Sequence, residues 1–102
     1  MFRNREAFQN RLETILGSRN VYFQPPENIQ LKYPAIIYRL SRIENVRADN
    51  LPYLQFTAYD VIVVDRAPDS KIADKISKLP MCEFNRSYKS NNLNHFSFTI
   101  YY

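Results

Sequence analysis

The sequence predicts an α+β fold: an antiparallel sheet of four to five strands with two helices packed on one face, in the order α-β-β-β-α-β-β. Three observations lead there. Two segments repeat apolar residues at helical spacing, other segments alternate apolar and polar residues with the period of a strand, and a helix-stopping residue follows each helical segment. Helices gathered on one face of an antiparallel sheet bury the apolar side of both kinds of element together. The chain has 102 residues. Folding at that size removes roughly two-thirds of the surface an unfolded chain exposes, so residues 1–102 read as a single domain.

Phe8, Leu12, Ile15 and Leu16 fall one above another on a helix, with Arg5, Glu6, Arg11 and Glu13 between them. They predict an amphipathic helix over roughly residues 4 to 16, with Asn4 at the front and Gly17 closing it. Val21-Tyr22-Phe23 is short and β-prone, and Pro25-Pro26 stops it. From Ala35 to Ile43 a strand is expected, with Ile36, Tyr38 and Leu40 facing the core and Ile37, Arg39, Ser41 and Ile43 on the other side. Turn formers fill residues 45–52, and a second long strand runs from Tyr53 to Asp65. Its apolar residues change parity, from Leu54, Phe56 and Ala58 to Tyr59, Val61 and Val63, which predicts either a bulge near Ala58, the preferred reading, or a far end covered on both faces.

Pro68-Asp69-Ser70 then supplies a helix start. Ile72, Ile76 and Leu79 point inward, Lys71, Asp74, Lys75 and Lys78 outward, and Pro80 ends the helix. Cys82 to Tyr88 forms a further β-prone piece, followed by the turn Lys89-Ser90-Asn91-Asn92. A last strand from Leu93 to Tyr102 sets Phe96, Phe98, Ile100 and Tyr102 on its core face, with His95, Ser97 and Thr99 opposite.

Composition narrows the chemistry. Cys82 is the one cysteine, His95 the one histidine and Gly17 the one glycine. An internal disulfide, a thiolate–imidazole zinc site and a glycine-rich phosphate loop are thereby excluded. No apolar run reaches the about 20 residues of a membrane span, and Met1 to Glu6 lacks the apolar core of a signal peptide. The formal charge of +4 is spread without blocks of one sign. Around His95 there is no strand-turn-helix nucleophile elbow, so it reads as an ordinary strand histidine. Asp65 and Asp69 flank a helix start, where carboxylates favour the positive end of the dipole, and their spacing with Asp60 and Asp74 demands no metal ion. Catalytic, cofactor-binding and metal-ligating residues are therefore all read as none.

Three segments point to binding. Phe84-Asn85-Arg86-Ser87-Tyr88-Lys89 and the final Tyr101-Tyr102 mix aromatics with basic residues, as a stacking platform for single-stranded nucleic acid does. The glycine-bearing RNA-recognition signature is missing, and alternating aromatics more often form a packed face or a protein interface. The stretch Glu44 to Pro52 is longer than a hairpin needs, and long loops tend to carry function.

The chain resembles the tail terminator, or tail-completion, proteins of long-tailed bacteriophages and prophages. Carrying the resemblance are Tyr33-Pro34-Ala35-Ile36-Ile37-Tyr38, then Ala48-Asp49-Asn50 with Tyr53 after it, then Tyr59-Asp60-Val61-Ile62-Val63. Pro68-Asp69-Ser70 opening a lysine-rich helix, Phe84 to Tyr88, and Leu93-Asn94-His95-Phe96 before an alternating aromatic end complete it. The resemblance implies a non-enzymatic virion subunit that stops tail-tube growth as a sixfold ring. Its implied partners are the major tail tube protein, the head-tail connector or stopper, and further copies of itself, with DNA merely passing through. A head-completion protein of the same neck region and a small basic nucleic-acid-binding domain are the alternatives. Arg47, Asp49, Asn50, Tyr53, Ile37, Ile43 and His95 are the expected protein-interface residues.

Overall fold

The structure, a computed structural model, describes residues 5–26, 30–46 and 54–102, and for 44–46 and 54–56 it describes the backbone. Its elements are α1 (Arg5–Leu16), β1 (Val21–Phe23), β2 (Ala35–Val46), β3 (Leu54–Asp65), α2 (Lys71–Ser77), β4 (Cys82–Ser90) and β5 (Leu93–Tyr101). The fold is α+β, with a single five-stranded sheet in the order β1-β2-β3-β5-β4. All neighbours are antiparallel except β1, which runs parallel to β2 and pairs Val21 with Ile36 and Phe23 with Tyr38. Pro25 and Pro26 prevent a tight hairpin after β1. The chain returns instead through residues 24–34, close to the about a dozen residues that a parallel crossover needs.

Local chemistry closes each helix. The Gly17 amide donates to the Glu13 carbonyl at 2.8 Å, and Gly17 takes φ +81°, a left-handed conformation that glycine adopts without steric cost. At the front of α2 the buried Ser70 hydroxyl accepts from the Ala73 amide at 3.1 Å. Asp65 caps the preceding turn, its carboxylate accepting from the Ala67 amide at 3.1 Å. Asn91 and Asn92, both at positive φ, form the two-residue turn between β4 and β5, a pattern matched to the twist of the flanking strands.

One face of the sheet carries the core. Ile36 and Tyr38 from β2, Tyr59, Val61 and Val63 from β3, and Phe98 and Ile100 from β5 are buried beneath Phe8 and Leu12 of α1 and Ala73 and Ile76 of α2. Aromatic rings fill its centre. Phe8 stacks on Tyr59 with ring centroids 4.8 Å apart and meets Tyr38 edge-on at 5.4 Å, geometries that suit the ring quadrupoles. The Tyr38 hydroxyl donates to Gln9 Oε1 and accepts from an Arg5 guanidinium N–H at 3.2 Å. The Tyr38 polar end is thereby satisfied on both sides.

The bulge expected in β3 lies instead in β2. Leu40 pairs with Tyr59 and Arg42 with Ala58, leaving Ser41 as the extra residue, while β3 runs from Ala58 to Asp65 against β5 without a shift. An insertion in β3 would interrupt ladders on both of its sides. Past Leu40, β2 has β3 alone beside it, and an extra residue there disturbs one ladder. Thr57, Ala58 and Tyr59 are all buried, so the parity change in the sequence marks a point where both faces are covered.

The bulge also reassigns faces. Ile37 pairs with Ile62 on the face away from the helices, whereas Ile43 pairs with Thr57 and so shares the helix-side face of Tyr59 and Val61. Past the Ala58–Tyr101 pair and the bond from the Tyr102 amide to the Thr57 carbonyl, the two long strands leave the body together, pairing on from Glu44–Phe56 to Val46–Leu54 with neither β1 nor β5 alongside among the described residues. This two-stranded arm accords with extents of 52 × 24 × 23 Å. The radius of gyration, 14.7 Å, exceeds the about 13 Å of a compact chain this long.

Candidate interaction surfaces

Three surfaces remain without a covering layer among the described residues. The first is the middle of the sheet face opposite the helices, where Ile37, Ile62 and Ser97 are half-buried, whereas Ala35, Val64 and Ala58 on the same face are buried. Its rows follow from register: Ile37, Ile62, Ser97 and Arg86 lie side by side, and Ala35, Val64, His95 and Tyr88 form the next row. Ile37, Ile62 and Ser97 floor a hollow of about 680 Å³ whose sides include Arg39, Arg86 and Tyr88. Arg39 Nε lies 3.4 Å from an Asp60 carboxylate oxygen across the β2–β3 pair, with the arginine side chain 72% exposed. An ion pair this open to water contributes little stability.

At one end of this face three side chains form a stack. The Tyr88 and His95 rings lie 4.8 Å apart and within 10° of parallel, and the Arg86 guanidinium sits 5.0 Å from the centre of the Tyr88 ring. Arg42 and Tyr101 pair similarly, 5.3 Å apart. His95 Nδ1 is 3.1 Å from the Leu93 carbonyl. No hydroxyl, thiol or carboxylate bonds to that ring among the described residues, so nothing there resembles a nucleophile–base pair.

The second surface is the outer edge of β4. Every residue of this nine-residue strand after Cys82 is exposed. Met81 is 56% exposed and Phe84 57%, and Phe84 meets Phe98 at 5.5 Å. Between β4 and α2 a recess of about 540 Å³ is lined by Pro68, Ala73, Phe84, Phe96 and Phe98. Asn85 is the bulged residue, held by a 2.8 Å bond from its amide to the Thr99 hydroxyl. Beside it Cys82 is half-buried, and burial, aided by the Glu83 carboxylate, pushes its thiol above the ordinary range. The arm is the third surface.

Of the residues expected at an interface, Ile37 and His95 share the open face, while Ile43 lies on the helix side of the arm. Arg47, Asp49, Asn50 and Tyr53 lie outside the described residues, as does Asn4. Sequence reasoning singled out the segment holding Arg86 and Tyr88 but passed over Arg39 as a site residue and the edge position of β4. A signal for the last was present: Glu83, Arg86 and Lys89 recur at every third residue, which fits neither a strand with one buried side nor a strand buried on both. Among the described residues no three metal-ligating side chains gather, and no helix is long and apolar enough to cross a membrane.

Fold and surfaces together define a small α+β domain with an open sheet face, a long unpaired edge and a projecting two-stranded arm. Comparison of the sequence with protein-family models and with curated proteins finds no match in either.

Proposed function

We propose that the chain is a structural subunit of the neck of a tailed bacteriophage, a tail terminator. In this reading it caps the head-proximal end of the tail tube as a sixfold ring, stops tube growth and presents its far side to the head connector. It acts by binding and performs no catalysis.

The observation that carries this reading is the arm. A two-stranded ribbon is marginal in water on its own, and strands gain stability when a further strand or a packed layer completes them. Each copy therefore offers a segment that a neighbour can complete, and the outer edge of the arm's β2 strand faces the opposite way from the free edge of β4. Two different patches on opposite sides are what a closed ring of identical subunits requires. The resemblance to terminator proteins noted in the sequence, carried by residues from Tyr33-Pro34 to the aromatic end, supports the same assignment.

Electron microscopy of lysates from a phage or prophage with this gene deleted tests the reading. Headless tails of uncontrolled length are the expected result. Tails of normal length beside empty or leaking heads would move the protein to head completion, and intact particles would remove it from the neck.

A further inference from the structure

We propose that neighbouring copies in the ring join by strand addition: the distal part of β2 in one copy lays its free outer edge along β4 of the next. This rests on the reading of the chain as a ring subunit.

Outermost strands expose a row of unpaired amides and carbonyls, and proteins shield such edges unless a partner strand is meant to bind there. The edge at β1 is shielded, being three residues long and followed by Pro25-Pro26. By contrast, β4 runs nine residues without a proline; its bulge and its charges guard it against a copy of itself, yet an exposed aromatic and an apolar recess lie on its helix side. Exposed apolar surface of that kind marks an interaction site.

The occupant is a second copy because this chain carries the matching half. Pairing with β1 ends at Tyr38, and the Gln24 side chain accepts from the Leu40 amide at 3.2 Å. From Ile43 to Val46 no strand lies beside the outer edge of β2 among the described residues. The two free edges sit at opposite ends of the sheet, so joining one to the other continues the sheet from copy to copy and leaves neither edge open inside a closed ring. Pairing β4 with β4 of another copy would end at a dimer instead. The bulge at Asn85 opposes it, since the two faces of β4 exchange there and a strand cannot match its own reverse across that point. The Ser41 bulge has the opposite effect. It turns Ile43 to the helix side, where strand addition brings an aliphatic side chain to the recess beside Phe84.

Cross-linking in assembled tails tests the contact. Full-length chains in a Cys82→Ser background carry Asn45→Cys together with either Ser87→Cys or Lys89→Cys, positions that share the helix-side face. Tails assembled in a host lacking the native gene are oxidised and resolved without reductant. Adjacent strands bring Cα atoms to the about 5.5 Å that a disulfide spans, so at least one pair should give a ladder of linked copies, with none from the single-cysteine chains. Adding Phe84→Ser should lower the ladder yield roughly tenfold, with the unfolding transition of the isolated chain unchanged. Tails that hold the chain in ring amounts but give no ladder from either pair would overturn strand addition and leave the ring intact. Dimers from Ser87→Cys alone would overturn it in favour of β4-to-β4 contact. Tails lacking the chain altogether would overturn the ring and this contact with it.

Discussion

Tyr38 and Tyr59 bring phenol groups into an otherwise apolar cluster, and burial raises both above the ordinary value of 10.0; for Tyr38 the Arg5 guanidinium pulls partly the other way. The folded chain holds both neutral, whereas an unfolded chain ionises them first. The stability this contributes is complete below the ordinary value and is lost as pH rises through the folded values. Urea midpoints measured in a Cys82→Ser background, so that the raised thiol does not add its own alkaline loss, should be level near pH 8 and fall above about pH 10. Tyr59→Phe should flatten that fall. A fall of equal size in the Phe variant would show that other groups drive it. Both tyrosines could be placed in the core from alternation alone. What alternation could not supply was the partner of the Tyr38 hydroxyl, because Gln9 and Arg5 meet it only once α1 is docked across the sheet.

α2 spans seven residues, too short to hold by propensity alone, and depends on its cap and on the burial of Ala73 and Ile76. Ser70→Ala should cost about 1 kcal/mol, seen as a lower urea midpoint with an unchanged slope; no shift would mean that the 3.1 Å bond to Ala73 adds nothing. This cap was legible in Pro68-Asp69-Ser70, because capping is local chemistry written in adjacent residues. The direction of β1 was not. A three-residue strand looks the same parallel or antiparallel, and the choice follows from where residues 24–34 re-enter the sheet. The position of the bulge was hidden for a related reason: the parity signal sits in β3, while the extra residue sits in its partner, where it interrupts fewer hydrogen bonds.

At the scale of the whole molecule the body and the arm are distinguishable parts. The core elements meet within the body, and past the Arg42–Tyr101 contact the arm adds only β2–β3 pairs among the described residues. Replacing residues 45–55 with Asn-Gly, which joins the paired residues Glu44 and Phe56 through a two-residue hairpin turn, should leave circular dichroism and thermal unfolding close to those of the full chain. The same change should abolish ring formation on tail tubes. A shortened chain that fails to fold would instead make the arm part of the folding unit. The open face was legible in the polar side of β5. Which strand would end the sheet was not, since strand order is set by how the chain crosses between layers and not by any one strand's pattern. In the proposed ring, the long edge of β4 also constrains the time before assembly. Chains synthesised ahead of their docking site share one compartment, and each offers the others a template for sticking together. The kink at Asn85 and the charges of Glu83, Arg86 and Lys89 act as guards against that crowding. They make a flat stack of identical edges a poor fit, so a chain can wait in solution until the right neighbour arrives.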